Sequence, residues 1–407
     1  MTQEMNRKLN ALLNSIKASL EDIKHEGRKA RELKKAVRES RAVVTEVLEQ
    51  QLGGVSLEDQ ICISEIPDED WLITAKHIIS ELNDPFVPRN QYEIYFAQLC
   101  NYLRTTNTET LLNNLKFSLT KLMQENFNDY DKLNEIYTKY PFWGTYDEDE
   151  CDYSTFEQRL AVVKQHSYDL LWFYRKLGDY MSKRTLAGIL MNWIDMQIGG
   201  IAAVKSIFKD YCEPDIFPDN KGDIYVDVGA YIGDSLEDYS QVYGKDYNKI
   251  YIYEPASEIY DDLAQTVAKL GLHDVDIRRK GVGSKKKSMY FRENFYEYSA
   301  SFLADDGEEA DKVEVVRLDD DFKDEPTLIK INVCGMEKDV LEGCKKLVRK
   351  NRPKLVVSMQ YDYDDIWKIP SIIDEMVPEG YRFFVRSYGE SVVPTKFALL
   401  CLPEKTV

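Results

Sequence analysis

Between residues 1 and 52 the apolar positions Leu9, Leu13, Ile16, Leu20 and Ile23 fall alternately four and three apart, the spacing of a heptad seam. The same stretch contains neither proline nor an aromatic residue, so it predicts a long amphipathic, coiled-coil-like helix. The seam weakens at Gly27 and resumes out of phase at Leu33, Val37, Val44, Val47 and Leu48, which predicts a break or a stammer. Gly53 and Gly54 end it. Residues 55–218 are rich in helix formers and aromatics, with Pro67, Pro85, Pro88 and Pro141 as breaks, and predict an irregular helical domain. Its run from Tyr168 to Met196 places large apolar residues at helical spacing, a pattern of packing more than of a ligand platform.

At Asp223 the pattern changes to short β-rich runs separated by helix-length segments: IYVDV, KIYIYE, VDIRRK, LIKINV, KLVVSM, YRFFV and FALLC. Such alternation predicts an α/β domain over 220–407 with a mostly parallel sheet covered by helices. Between the third and fourth runs lies an insertion with two further strand candidates, SMYF and VEVVRL. The last two runs are joined by a glycine-containing loop, so the final strand is expected to be antiparallel.

Charge and composition narrow the function classes. The 407 residues carry a formal charge of −18, and so acidic a surface lacks the basic footprint of a nucleic-acid-binding protein. No run is long and apolar enough for a transmembrane segment or a signal-peptide core, and a cytoplasmic location is expected. The seven cysteines are scattered without a CxxC pair, and the four histidines are far apart, so neither a disulfide framework nor a zinc site is expected and no metal is assigned. Residues 1–52 are locally basic, with eleven basic against eight acidic residues, which suits a solvated helix face or a docking element.

The strongest chemical signal is Asp227-Val-Gly229-Ala230-Tyr231-Ile-Gly233-Asp234, between a strand and a helix-like segment. Glycines there let the backbone turn tightly and approach a ligand, and the amides at the start of the helix favour an anionic group. The G-x-x-x-G spacing fits neither a G-x-G-x-x-G dinucleotide fingerprint nor a phosphate-binding GK[ST] loop. The next strand ends in Tyr253-Glu254-Pro255, where a carboxylate can accept hydrogen bonds from both hydroxyls of a ribose. Asp227 as a turn cap and Glu254 as a solvated carboxylate is the bland alternative.

These motifs, with KGVGS, VEVVRLDD, LIKINVCGMEKDVLEG and RPKLVV in the same order, resemble the FkbM-like family of S-adenosylmethionine-dependent methyltransferases over about residues 220–402. The resemblance implies a Rossmann-like class I methyltransferase domain, a seven-stranded, mostly parallel sheet whose last strand is antiparallel, behind an all-helical N-terminal region. It implies S-adenosyl-L-methionine as cofactor. Asp227, Gly229, Ala230, Tyr231, Gly233 and Asp234 would surround its methionine part, Glu254 and Pro255 its ribose, and Gly281 and Val282 its adenine; a simple turn is the competing reading of Gly281-Val-Gly-Ser.

The sequence departs from the family after the fourth core strand. Relatives carry Asp-Val-Glu-Gly-x-Glu there, whereas this chain has Asn332-Val-Cys334-Gly335-Met-Glu337. Asn332 can orient a hydroxyl without accepting its proton, while Glu337 and Asp319 are the candidate catalytic carboxylates, with helix capping the alternative for each. Ser299, Ser301 and Tyr361 are candidates for contact with the acceptor. The reading is an O-methyltransferase acting on a hydroxyl of a small-molecule, sugar or glycan-linked acceptor, with no nucleic acid involved. The alternative is a methyltransferase-like scaffold that has lost turnover. The N-terminal helix is expected to serve homodimerisation or the docking of a partner.

Overall fold

The runs from Asp223 onward become the strands β1 (Ile224–Val228), β2 (Lys249–Tyr253), β3 (Val275–Arg278), β4 (Gly281–Val282), β5 (Lys287–Arg292), β6 (Phe302–Ala304), β7 (Lys312–Val316), β8 (Leu328–Ile331), β9 (Lys354–Ser358), β10 (Tyr381–Ser387) and β11 (Phe397–Pro403) in the computed structural model. The structure describes residues 11, 30–51, 62–139, 152–292, 302–304, 312–321 and 323–404. Seven strands form one sheet in the order β10-β11-β9-β8-β1-β2-β3. β1 pairs in parallel with β2 and β8, β8 with β9 and β2 with β3, while β11, the last strand, runs antiparallel to β9 and β10. The chain builds outward from β1 to β3 and then returns to β8 on the other side of β1. A switch point therefore opens beyond the carboxyl ends of β1 and β8, where open α/β sheets bind their ligands.

β1, β2, β8 and β9 are almost wholly buried, as continuous apolar runs covered on both faces must be. The insertion does not extend this sheet. β5 and β7 pair antiparallel and, with the short strands β4 and β6, form a second sheet in the order β4-β7-β5-β6. Gly281 and Val282 are accordingly a strand, paired with Val315 and Val316, where the sequence also allowed a turn.

The chain forms two compact units. The first contains residues 1–120, 153–176 and 193–195. Its helix α1 (Ala30–Gln51) buries Val37, Val44, Val47 and Leu48 in one cluster with Ile63, Ile66, Trp71, Leu72, Ala75, Ile78 and Ile79. The resumed seam thus packs inside its own unit, and Arg41, one of the basic residues, lies 4.8 Å over the Trp71 ring and donates to Ile66 O at 2.8 Å. The heptad positions Leu9, Leu13, Ile16, Leu20 and Ile23 lie outside the described residues. Deeper in this unit the fully buried Asp169 carboxylate accepts from His77 Nδ1 (2.5 Å), His166 Nδ1 (2.9 Å) and Thr74 Oγ1 (2.8 Å). Burial alone would raise its pKa, but the two imidazoles outweigh that and hold it at about 2.

The second unit comprises residues 121–152, 177–192 and 196–407. The segment before residue 218 is tied to the β10 edge: Gly178 N donates to Phe383 O at 2.8 Å, Val385 N to Ser182 Oγ at 3.0 Å, and Ser206 N to Ser387 O at 2.7 Å. Buried Arg386 on β10 adds ion pairs to Asp179, Glu213 and Asp215. Among the described residues no helix is long and apolar enough to cross a membrane.

Candidate functional site

The site begins where β1 turns into helix α10 (Asp234–Tyr243; helices are numbered along the chain, α1 being the N-terminal one). Gly229 has φ +80°, and a Cβ there would collide with the backbone carbonyl of Asn332 at the end of β8. Only glycine lets the two strand ends come this close. Gly233, with φ +88°, lies at the N-terminus of α10, and a side chain on it would press on Thr266 at 3.0 Å. Between them Tyr231 is held at φ 50°, the left-handed region that L side chains rarely enter. Ala230 is buried beneath the turn, and Asp234 is exposed on the first turn of α10.

Glu254 ends β2 with 6% of its surface exposed. Its Oε2 accepts from Tyr231 N (2.8 Å) and its Oε1 from Ala256 N (3.0 Å), so the carboxylate is fixed against both the β1 turn and the chain after Pro255. Burial raises its pKa against the pull of those two amides. Each oxygen retains lone pairs, so the residues present fit a ribose diol accepted at the rim of the β1 turn.

Asp227 lies on β1, just before the turn. It is completely buried and its carboxylate accepts from Lys330 Nζ (2.9 Å) and Ser235 Oγ (2.7 Å), while Lys330 Nζ also donates to Gly229 O (2.7 Å). Its contribution is to lock the turn from below. Burial alone would lower the Lys330 pKa, yet Asp227 outweighs it and the pKa is raised. Lys330 and Ser235 went unread in the sequence; a lysine in the otherwise apolar run Leu328-Ile-Lys-Ile331 was the available signal.

At the end of β8 the Asn332 carboxamide oxygen accepts from Ser358 Oγ (3.0 Å) and from the Tyr361 hydroxyl (2.9 Å). Asn332 and Tyr361, both singled out from sequence, are thus brought together. The Tyr211 hydroxyl is 3.3 Å from Ser358 Oγ, and its ring centroid is 5.7 Å from Lys330 Nζ and 5.9 Å from Lys396 Nζ. Tyr211 and Ser358 also carried no readable signal, since only the fold brings them to this strand end. Cys334 adopts φ 54°, and burial pushes its thiol up to about 12, so it is neutral.

Glu337, at the start of helix α13 (Glu337–Gly343), is fully buried and folds back to accept from Val333 N (2.8 Å) and Gly335 N (2.9 Å). Burial and the Asp365 carboxyl push its pKa up to about 8. Its role in the structure is to shape the loop that carries Asn332 and Cys334. Asp319 is not brought to the pocket mouth. Its buried carboxylate accepts from Leu347 N (2.9 Å) and Lys346 N (3.3 Å) at the start of helix α14 (Lys345–Asn351) and pairs with Arg317 at 2.8 Å. Gly281 and Val282 lie buried in the second sheet. Ser299 and Ser301 fall outside the described residues. The acidic cluster Asp362, Asp364 and Asp365 converges on Lys338 Nζ at 2.6–3.1 Å, an ion-pair network that ties α13 to the segment after β9.

Residues 227–385 match the methyltransferase FkbM domain family. Among solved structures the chain is similar to a methyltransferase FkbM from Methylobacillus flagellatus, at 18% identity and TM-score 0.49, over 60% of this chain and 62% of that one. It also aligns with an rRNA methylase from Streptococcus thermophilus (12% identity, TM-score 0.31, 52% of this chain and 96% of that one). A fibrillarin from Aeropyrum pernix with natively bound S-adenosyl-L-methionine aligns at 12% identity and TM-score 0.30, over 50% of this chain and 73% of that one. The chain therefore spans less than two thirds of the Methylobacillus protein's length. No curated protein matches it by sequence.

Proposed function

We propose that the protein, whose residues 227–385 match the methyltransferase FkbM domain family, is an S-adenosylmethionine-dependent O-methyltransferase acting on a sugar or glycan-linked acceptor. The observation that carries the reading is the joint geometry of the β1 turn and Glu254. A left-handed turn through Gly229, Tyr231 and Gly233 is pinned by the hydrogen bond from Tyr231 N to a buried carboxylate one strand away, at the switch point of the sheet. Bound there, the cofactor would supply an electrophilic methyl on a sulfonium.

The chain's own residues supply the rest. Glu254 would hold the ribose hydroxyls, Gly229 and Gly233 would let the backbone approach the amino-acid portion, and the Lys330–Asp227 pair keeps that backbone rigid. Asn332, at the adjoining strand end, would meet the acceptor. Positioning of this kind can supply several kcal/mol of an in-line displacement. Residues 1–52 are proposed to self-associate or to dock a partner through the heptad face at 9–23.

Isothermal titration of the full chain with S-adenosylmethionine and with S-adenosylhomocysteine tests the reading. Binding that Glu254→Ala weakens supports it; no binding of either ligand to folded protein refutes it.

A further inference from the structure

Among the described side chains at the end of β8, the Asn332 amide presents one kind of group to an acceptor. Asn332 Oδ1 is occupied by two hydroxyls, Ser358 Oγ at 3.0 Å and Tyr361 OH at 2.9 Å. That leaves the Nδ2 amino group, a donor with two hydrogens and no acceptor capacity, as the free end of a half-buried side chain beside Gly229. Four carboxylates of this region are engaged elsewhere. Asp227 is paired with Lys330, Glu337 accepts two backbone amides, Glu254 accepts two more, and Asp365 is paired with Lys338. Lys330 and Lys396, which flank the Tyr211 ring, are themselves paired with Asp227 and Asp210.

A donor fixed in this way suits an acceptor oxygen that brings lone pairs and needs no proton removed. Methylating an alkanol calls for a group that takes its proton, a contribution of about 10²- to 10⁴-fold. A carboxylate, ionised above about pH 4, needs none. Granted the methyltransferase reading above, we propose that the methyl acceptor is a carboxylate oxygen, such as that of an acidic sugar, and that Asn332 Nδ2 is its hydrogen-bond donor. A lone pair of the carboxylate oxygen forms the new O–C bond while the S–C bond breaks and its electron pair returns to sulfur. The products are a neutral methyl ester and a thioether, with no proton transferred. Ser358 and Tyr361 act as positioning residues, holding the amide with its donors outward.

The test uses the full-length protein, S-adenosylmethionine labelled in the methyl group, and two probes that differ only in the carboxylate: 4-nitrophenyl β-glucuronide and 4-nitrophenyl β-glucoside. Label is expected on the glucuronide alone, released as methanol by mild alkali. Asn332→Asp, which sets a carboxylate against a carboxylate, is expected to lower kcat/KM by roughly tenfold or more, chiefly through KM. Ser358→Ala is expected to raise KM while leaving S-adenosylhomocysteine affinity unchanged. Alkali-stable label on the glucoside, a gain of transfer in Asn332→Asp, or no transfer to the glucuronide by protein that binds S-adenosylhomocysteine would each overturn the proposal. Absence of S-adenosylhomocysteine binding would instead remove the methyltransferase reading on which it rests.

Discussion

Replacing Lys330 by methionine tests the buried ion pair that supports the β1 turn. Both charges are inaccessible, with side-chain exposures of 4% for Lys330 and 0% for Asp227, and they lie 2.9 Å apart. Removing the lysine leaves the buried Asp227 carboxylate without its counter-charge, though Ser235 Oγ still donates to it, and breaking a buried pair from one side costs about 3–5 kcal/mol. Removing both charges together, in Asp227→Asn with Lys330→Met, eliminates the stranded ion and should cost about 2–4 kcal/mol less than the two single losses summed. Urea unfolding followed by far-UV circular dichroism gives all four stabilities. A loss below about 1 kcal/mol for Lys330→Met, or strictly additive single variants, would refute the argument. The pH dependence has a definite sign. A lysine whose pKa is raised on folding contributes fully below the unfolded value of about 10.4 and loses that contribution as pH climbs through the folded one. The gap between wild type and Lys330→Met should therefore hold from neutral pH to about 10 and close above it.

Glu254→Ala should weaken S-adenosylhomocysteine binding by roughly 10- to 100-fold, since each hydrogen bond to a charged group contributes about 1.5–3 kcal/mol, with isothermal titration as the measurement. Gly229→Ala places a methyl against the Asn332 carbonyl at a positive φ, and should lower the thermal midpoint far more than Gly199→Ala, where a Cβ meets nothing within 4 Å. Asp169, depressed from 3.8 to about 2 in the folded protein, stabilises the first unit above pH 4 and loses that contribution as pH falls toward 2; Asp169→Asn should remove about 2 kcal/mol of it at pH 7, read by acid titration of helicity. Trp71→Ala empties a fully buried site in the cluster that seats α1, at a cost of about 3–5 kcal/mol in urea unfolding.

The sheet was legible in the sequence because most of its strands are apolar runs of ordinary length, and pattern alone marks those. The glycine turn was legible for a related reason: Gly229 and Gly233 sit at positive φ, which the residue type announces. What stayed hidden depends on partners far along the chain. Asp319 looks like a free acid in Asp-Asp-Asp until the fold brings the amides of residues 346 and 347 to it. Asp227 looks like a ligand-facing carboxylate until Lys330, 103 residues away in sequence, closes on it. The short strands β4 and β6 have too few residues to show a period, and only their pairing with β7 and β5 defines them. Asn332 and Tyr361 were found separately, but the clamp that joins them needs Ser358 and the β8–β9 register to be visible.

The contact of Gly229 with the Asn332 carbonyl has a consequence for how such a protein can diverge. Because backbone touches backbone there, the nucleoside-holding turn and the neighbouring strand end behave as one casting, and neither can shift without the other. New acceptor preferences must then arise by exchanging side chains at positions such as 332, 334, 358 and 361 on an unmoved frame. An engineer wishing to retool the protein has the same freedom and the same restriction.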